Sequence, residues 1–507
     1  MAETKREIER KYEATDTTGL PDLTRAPGVS AVLDRGVAEL DAVYYDTPGL
    51  RLADDSLTLR RRTGGEDAGW HLKFPVASGI RDEIRAPLAD TLPAELAELL
   101  RSRTREEDVV PVMRLRSSRQ VHHLVDDAGE LLAELSVDTV RADRLPGGPG
   151  TSWTEIEVEL ADDADPAVLD AVEKRLKKAG VRASSSASKL ARALEETGGG
   201  ASAGAPAADG PGEDTAGGRV LAYVREQVDA IVALDPAVRR DLPDSVHQMR
   251  VATRRLRSAF KTYRKVLDRT VTDPIGDELK WLAGELGVAR DHEVLIARLD
   301  SRIDELPDTL LLGPVRARLQ AEAASHGDEA RTKAVDALDS DRHLALLNTL
   351  DALLADPPLR KAATKDAAKV LARAVRKDYD RLAGRVERAL ALPSGHDRDL
   401  AMHEARKAAK RARYAADAAR PALGKPAKRF AKRVKAVQSL LGDHQDSVVA
   451  RDALRTLAIQ AHAAGESAFT WGLMYGREEA AAAARERELP EVWAKASAPK
   501  LRAALTH

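Results

Sequence analysis

The sequence predicts two unlike domains in one chain: an α+β unit built on an antiparallel sheet or barrel, then an all-α unit. Three observations carry that prediction. From Glu7 to about Leu160, apolar and polar residues alternate in short segments broken by turn residues, the pattern of half-buried strands. Around residues 196 to 218 the composition shifts to Gly, Ala, Ser and Pro, with little that could pack, which marks a flexible linker over 197–218. From Arg219 almost to the end, Ala, Leu, Arg, Glu and Asp dominate, and Pro and Gly fall largely at breaks, as in a helical bundle or a pair of bundles. The expected domains are therefore 1–196 and 219–507.

Composition narrows the classes. A chain of 507 residues exceeds one ordinary core, and 43% hydrophobic residues suffice for two. A net charge of −2 argues against a generally cationic protein but leaves room for strong local fields. The absence of cysteine excludes disulfides and thiolate metal sites. Met1-Ala2-Glu3-Thr4-Lys5-Arg6 leads into no apolar segment, and no apolar run approaches the length of a membrane span. The expected location is the cytoplasm, with no membrane partner.

In the first unit, Pro48-Gly49, Gly64-Gly65, Pro87, Pro111, Asp127-Ala128-Gly129 and Pro146-Gly147-Gly148-Pro149 mark turns, and helical patterns occur at Thr91 to Arg103 and Asp165 to Ala179. The strands are read by parity, since successive side chains point to opposite faces. Glu7, Glu9 and Lys11 share one face, with the two carboxylates roughly 7 Å apart along the strand. Arg60 and Arg62 oppose Leu57 and Leu59; His71 and Lys73 oppose Trp70 and Leu72. Glu83 and Arg85 flank Ile84, and Arg114 and Arg116 alternate with Met113 and Leu115. Glu134, Ser136 and Asp138 share a face, as do Glu155, Glu157 and Glu159. A merely solvated face would carry mixed charges without order. Here acid-rich strands begin and end the unit while basic ones lie between, so closing the sheet with its polar face inward gathers cations around a polyanion and carboxylates around its metal.

Those residues, together with Tyr45-Asp46-Thr47 and Ser188-Lys189, resemble the CYTH family of triphosphate tunnel metalloenzymes over nearly all of residues 1 to 196. The resemblance implies a closed, eight-stranded antiparallel β-tunnel and Mg²⁺- or Mn²⁺-dependent hydrolysis of triphosphate groups. The chemistry suits the residues. Hard carboxylate oxygens favour such ions, and guanidinium and ammonium groups offset phosphate charge. Glu7, Glu9, Glu155, Glu157 and Glu159 are the expected metal ligands, with Asp138 as a helper to metal or water. Lys11, Arg60, Arg62, Lys73, Arg85, Arg114, Arg116 and Lys189 are expected to hold the triphosphate. Glu7, Glu9, Lys11, Glu155 and Glu157 form the expected catalytic set, whereas His71, His122 and His123 read as structural or solvated.

The second unit contains an internal repeat. His247-Gln248-Met249-Arg250 through Arg254-Arg255-Leu256-Arg257 aligns with His403-Glu404-Ala405-Arg406-Lys407 through Lys410-Arg411-Ala412-Arg413. Downstream, Leu286-Gly287 followed by Asp291 answers Leu441-Gly442 followed by Asp446. Helical spacing aligns His247, Arg250, Arg254 and Arg257, extended by Lys261, and likewise His403, Arg406, Lys410 and Arg413. Lys428, Lys432 and Lys435, with Lys425, add another basic row. No acid falls between Met249 and Leu267 or from Ala405 to Ala416, so these rows need an extended anion or acids from other helices.

These motifs resemble the CHAD family, the conserved-histidine α-helical domains, over about residues 219 to 507. The resemblance implies two four-helix bundles in pseudo-twofold relation and inorganic polyphosphate bound on a basic surface, with polyphosphate granules as a place of association. With 3% aromatic residues, base stacking is poorly supplied, which argues against nucleic acid. His292-Glu293 and His403-Glu404 lack the second histidine of a zinc protease, His396-Asp397 stands alone, and no Gly-rich phosphate loop occurs. The expected function is an inorganic triphosphatase with a polyphosphate-binding helical domain. A polyphosphate-binding protein without turnover, or a tunnel enzyme for an organic triphosphate, is the alternative. Oligomeric state is open.

Overall fold

The computed structural model describes residues 3–15, 18–65, 67–198 and 211–505. Residues up to 198 form one compact unit and those from 211 another. The linker expected over 197–218 lies mostly in 199–210, outside the described residues. Its end differs from expectation, because Gly217-Gly218 open a helix. A Cβ at Gly218 would stand 2.4 Å from the Gly212 carbonyl oxygen, so close packing selects glycine there.

The first unit has strands β1 (Glu3–Ala14), β2 (Ala31–Asp46), β3 (Thr58–Thr63), β4 (Gly69–Ala77), β5 (Ile80–Pro87), β6 (Val110–Val125), β7 (Leu131–Arg144), β8 (Gly150–Leu160) and β9 (Arg182–Ala183). Its helices are α1 (Arg51–Asp54), α2 (Ala94–Thr104), α3 (Ala167–Lys178) and α4 (Lys189–Glu196). The strands run in the order β5-β4-β3-β2-β6-β7-β8-β1, and β1 pairs back onto β5, closing an eight-stranded antiparallel ring with β9 appended. Closure occurs within β1, whose residues 3–8 pair with β5 and 9–14 with β8. At that seam the Glu9 N–H donates to the Gly79 carbonyl at 2.9 Å. Gly79 has φ +71°, and a Cβ there would lie 2.8 Å from the Glu9 oxygen, so only glycine fits the crossing.

The ring is inverted relative to a soluble barrel with an oily interior. Its apolar face points outward, covered by α3 (Val168, Val172, Leu176 on Ile156 and Val158) and by α2 (Leu96, Leu99, Leu100 on Leu59, Trp70 and Leu72). The polar face points inward. One end of the interior is an exception: Ala42, Tyr44, Met113, Leu115, Val140, Ala142 and Trp153 pack with Leu190, Ala193 and Leu194 of α4. Helix α4, capped by Ser188 accepting from the Ala191 N–H at 3.1 Å, therefore fills that end.

The second unit is all-helical: α5 (Ala216–Arg239), α6 (Ser245–Thr262), α7 (Arg269–Glu285), α8 (Gly287–Asp304), α9 (Val315–Asp339), α10 (Asp341–Ala355), α11 (Ala367–Ala391), α12 (His396–Leu423), α13 (Lys425–Ala463), α14 (Phe469–Ala496) and α15 (Pro499–Ala503). The repeat pairs α6 with α12, and α7–α8 with α13, which runs unbroken through Gly442. One apolar core joins both repeats, from Val224 and Leu256 to Leu371, Met402 and Phe430; a second gathers Leu299, Leu319, Leu454 and Trp471. Helices α6 and α12 meet at the centre, where the Tyr263 hydroxyl donates to the Ala415 carbonyl at 2.9 Å. No helix among the described residues is long and apolar enough to cross a membrane.

Candidate functional site

The ring encloses a cavity of about 590 Å³ whose charged wall is mainly basic. Glu7, Glu9 and Lys11 reach it from β1, Arg60 and Arg62 from β3, Lys73 from β4, Arg81 and Arg85 from β5, Arg119 from β6, Glu157 and Glu159 from β8, and Lys189 from the start of α4. Tight ion pairs line it. Glu7 accepts from Lys73 at 2.5 Å, with Arg85 3.8 Å away. Buried Glu83 meets Arg85, Lys73 at 3.4 Å, Arg60 at 3.5 Å and His71 at 3.0 Å. Lys11 meets Glu157 and lies 3.3 Å from Glu9.

At the filled end, Asp138, Glu155 and Glu157 each offer a carboxylate oxygen within 4.8 Å of the others, and all three residues are buried. The Lys189 ammonium sits among them, at 2.9, 2.7 and 2.6 Å respectively, and Arg119 binds Asp138 at 2.7 Å and Glu157 at 2.9 Å. Burial acts to raise Glu157, but Lys11, Lys189 and Arg119 outweigh it and hold the carboxyl well below the usual range. Asp138 is lowered in the same way, burial being overcome by Lys189 and Arg119. In Glu9 burial is overcome by Lys11, Lys73 and Arg81. Glu7 goes the other way: burial, with Glu83 and Glu159 nearby, raises it despite Lys73. Burial pushes His71 down to about 4, so the ring is neutral; its nitrogens lie 3.0 Å from Glu83 and 2.9 Å from the Asp67 carbonyl, and its single N–H donates to one of the two.

The residues expected from sequence divide. Lys11, Arg60, Arg62, Lys73, Arg85 and Lys189 come together on one wall with Glu7, Glu9, Glu157 and Glu159. The three-carboxylate cluster contains Glu155 and Glu157 with Asp138; Glu7 and Glu9 lie outside it, and Glu159 is taken by Lys5 at 2.8 Å. Arg114 and Arg116 are not brought in. They stand on the outer face, half-exposed, paired with Asp41 at 2.9 Å and Asp143 at 3.6 Å. The apolar face of β6 turns inward because α4 fills that end, and further along the same face carries Arg119. Arg119, Arg81, Lys5 and Glu83 were missed. Arg81 shares the parity of Glu83 and Arg85, and Arg119 that of Met113 and Leu115, so the signal was present in the register.

In the helical unit the two basic rows converge. Burial, then Arg406, Arg254 and Arg250, push Lys410 down to about 7 against the pull of Asp446. Arg250 is held by Asp291 at 3.0 Å and by the Gly287 carbonyl at 3.2 Å, and Arg406 lies 3.7 Å from Asp446, its repeat counterpart. The Leu-Gly…Asp motif thus clamps one arginine in each repeat. A neighbouring recess of about 340 Å³ carries Arg257, Lys261, Arg264 and Arg411, the last held by Asp378 at 3.0 Å. Burial, then Arg257 and Arg411, lower Lys261. Acids from other helices do reach the rows, yet they leave part of the repulsion standing. The buried Nε atoms of Arg250, Arg255, Arg257, Arg406 and Arg413 have no hydrogen-bond partner.

Not every expected cation joins this centre. Arg255 and Arg413 lie over the Tyr414 ring, at 5.9 and 4.7 Å from its centroid. Lys407 pairs with Glu404 on the same helix. His403 bonds Gln445 at 2.7 Å, and His247 is exposed near the start of α6. Lys428, Lys432 and Lys435 lie on the exposed face of α13.

Comparison with known proteins follows this division. The CYTH domain family model matches residues 5–194, and the CHAD domain family model matches residues 222–455. An uncharacterized protein of Mycobacterium tuberculosis, found in strains H37Rv and CDC 1551, is 38% identical over 500 residues, covering 95% of this chain and 94% of its own length. Among solved structures, PptA from Streptomyces chartreusis is similar at 22% identity and TM-score 0.48, covering 55% of this chain and 99% of that one. The CHAD domain from the plant Ricinus communis is similar at 28% identity and TM-score 0.45, covering 56% and 92%.

Proposed function

Because this chain belongs to the CYTH and CHAD families, one in each unit, we propose that it hydrolyses inorganic triphosphate or a related triphosphate within the strand ring. We propose further that its helical unit binds inorganic polyphosphate, with the cytoplasm as its location. The observation that carries the first reading is a mainly basic cavity wall that includes Glu157, itself one of three buried carboxylates gathered with Asp138 and Glu155. Anion binding alone gains nothing from clustered carboxylates. Asp138, Glu155 and Glu157 make an all-oxygen donor set of the kind that suits a hard divalent cation such as Mg²⁺ or Mn²⁺, which would take the place that the Lys189 ammonium holds among them. Such a cation, when bound, would supply charge stabilisation to phosphoryl oxygens and a more acidic water.

The chain's own residues do the rest. Arg60, Arg62, Arg81, Arg85 and Lys73 hold phosphate oxygens and offset the charge that repels a nucleophile. Asp138 and Glu157, held ionised by Lys189 and Arg119, remain ligands rather than acids. Glu7, the one carboxyl of this group raised by burial, is suited to take a proton from attacking water at Oε1.

The test is phosphate release from tripolyphosphate by the full chain with Mg²⁺ or Mn²⁺. E157Q and E7Q are each expected to lower turnover by about 100-fold or more. No metal-dependent release by the parent from any of several triphosphates overturns the enzyme reading and leaves a polyanion-binding protein. For the second unit, replacing Arg250, Arg254, Arg406 and Lys410 together by alanine is expected to weaken polyphosphate binding at least about 100-fold, roughly 1 kcal/mol or less for each charge lost. Unchanged affinity removes the basic centre from the account.

A further inference from the structure

A second group of ligating side chains lies in the helical unit, at Asp399 of α12, His444 of α13 and Glu486 of α14, each offering an atom within 4.8 Å of the others. His444 is 0% exposed, and neither ring nitrogen has a hydrogen-bond partner. A buried imidazole that makes no well-formed hydrogen bond is costly unless something else satisfies it, and the groups nearest its Nε2 are two carboxylates. Its Nε2 is aimed between the two carboxylates, 3.2 Å from Asp399 and 3.6 Å from Glu486. A tetrahedral ion with bonds of about 2.1 Å sets its donors about 3.4 Å apart.

We propose that His444, Asp399 and Glu486 form a site for a divalent transition-metal ion of the zinc class, fastening α12, α13 and α14. One imidazole with two carboxylates suits such an ion and leaves a coordination position open. The groups behind the ligands support it. Arg451 holds Asp399 at 2.9 Å, while Arg398 at 3.2 Å and the Ser394 hydroxyl at 2.7 Å hold Glu486, fixing each carboxylate from its outer side. In the strand ring an ammonium sits among three oxygens; here each arginine reaches one carboxylate only. The helical repeat does not demand these residues, since Pro243 and Ala289 stand where Asp399 and His444 align.

The test uses the full chain dialysed against Zn²⁺. The parent is expected to retain one equivalent of zinc more than H444Q, with E157Q keeping that equivalent. Zinc-edge X-ray absorption of the parent and of H444Q gives a second readout. The strand-ring cluster contains only oxygen ligands, so imidazole scattering that is present in the parent and lost in H444Q reports the helical site rather than that cluster. Equal zinc in parent and folded H444Q, or an oxygen-only zinc environment in the parent, overturns the proposal.

Discussion

At the scale of single residues, Lys410 makes a measurable claim. Its folded value near 7 lies below the ordinary 10.5, so the charged form is disfavoured in the native state. Between those limits the unfolded chain binds the extra proton, and the native state loses stability as pH falls from about 10.5 to about 7. A bound polyanion supplies the missing negative charge beside Arg406, Arg254 and Arg250 and draws the proton back. Polyphosphate binding at pH 8 is therefore expected to take up a proton and to weaken as pH rises. Calorimetry in buffers of different ionisation enthalpy measures this, and K410R, always charged, is expected to abolish the uptake. Parity carries a second residue-scale prediction. Arg119 compensates Asp138 and Glu157 inside the ring, so R119A is expected to cost about 3 kcal/mol in urea unfolding. R114A, losing a half-exposed pair with Asp41, is expected to cost under about 1 kcal/mol and to leave turnover within about twofold.

At the scale of elements, most of the fold was legible. The alternation that marked the strands and the two helical patterns at Thr91 to Arg103 and Asp165 to Ala179 correspond to the ring, α2 and α3. Helix α4 is not legible in the strand alternation, because Ser188-Lys189 reads as part of a charged motif and yet forms a cap and first turn. That omission explains the misplacement of Arg114 and Arg116. Without a helix filling one end, the Met113–Leu115 face has no reason to turn inward. The helical repeat was legible because its glycines and aspartates serve a local purpose. A Cβ at Gly442 would meet the Arg406 guanidinium at an ordinary 3.6 Å, so G442A is expected to raise stability by about 1 kcal/mol through helix propensity. At Gly287 the same atom would press on Arg250 at 3.2 Å. G287A is expected to gain less in a thermal melt and to weaken polyphosphate binding.

At the scale of the whole molecule, near-neutral net charge conceals two strongly charged regions of different design. One is an enclosed mixture of acids and bases, the other a cationic centre whose acids come from neighbouring helices. Both depend on register between distant segments, such as Glu9 opposite Glu159 or α6 against α12, which composition alone cannot encode. The end filled by α4 has a further effect on traffic. Among the described residues α4 fills one end of the ring, so under the proposed reaction spent phosphate leaves by the end through which fresh substrate arrives. The product lodged nearer the mouth has to depart before the deeper one can follow. Under the proposed reaction, initial-rate kinetics are expected to show an ordered release. The last product out should compete with triphosphate for free enzyme, and the first should inhibit without competing.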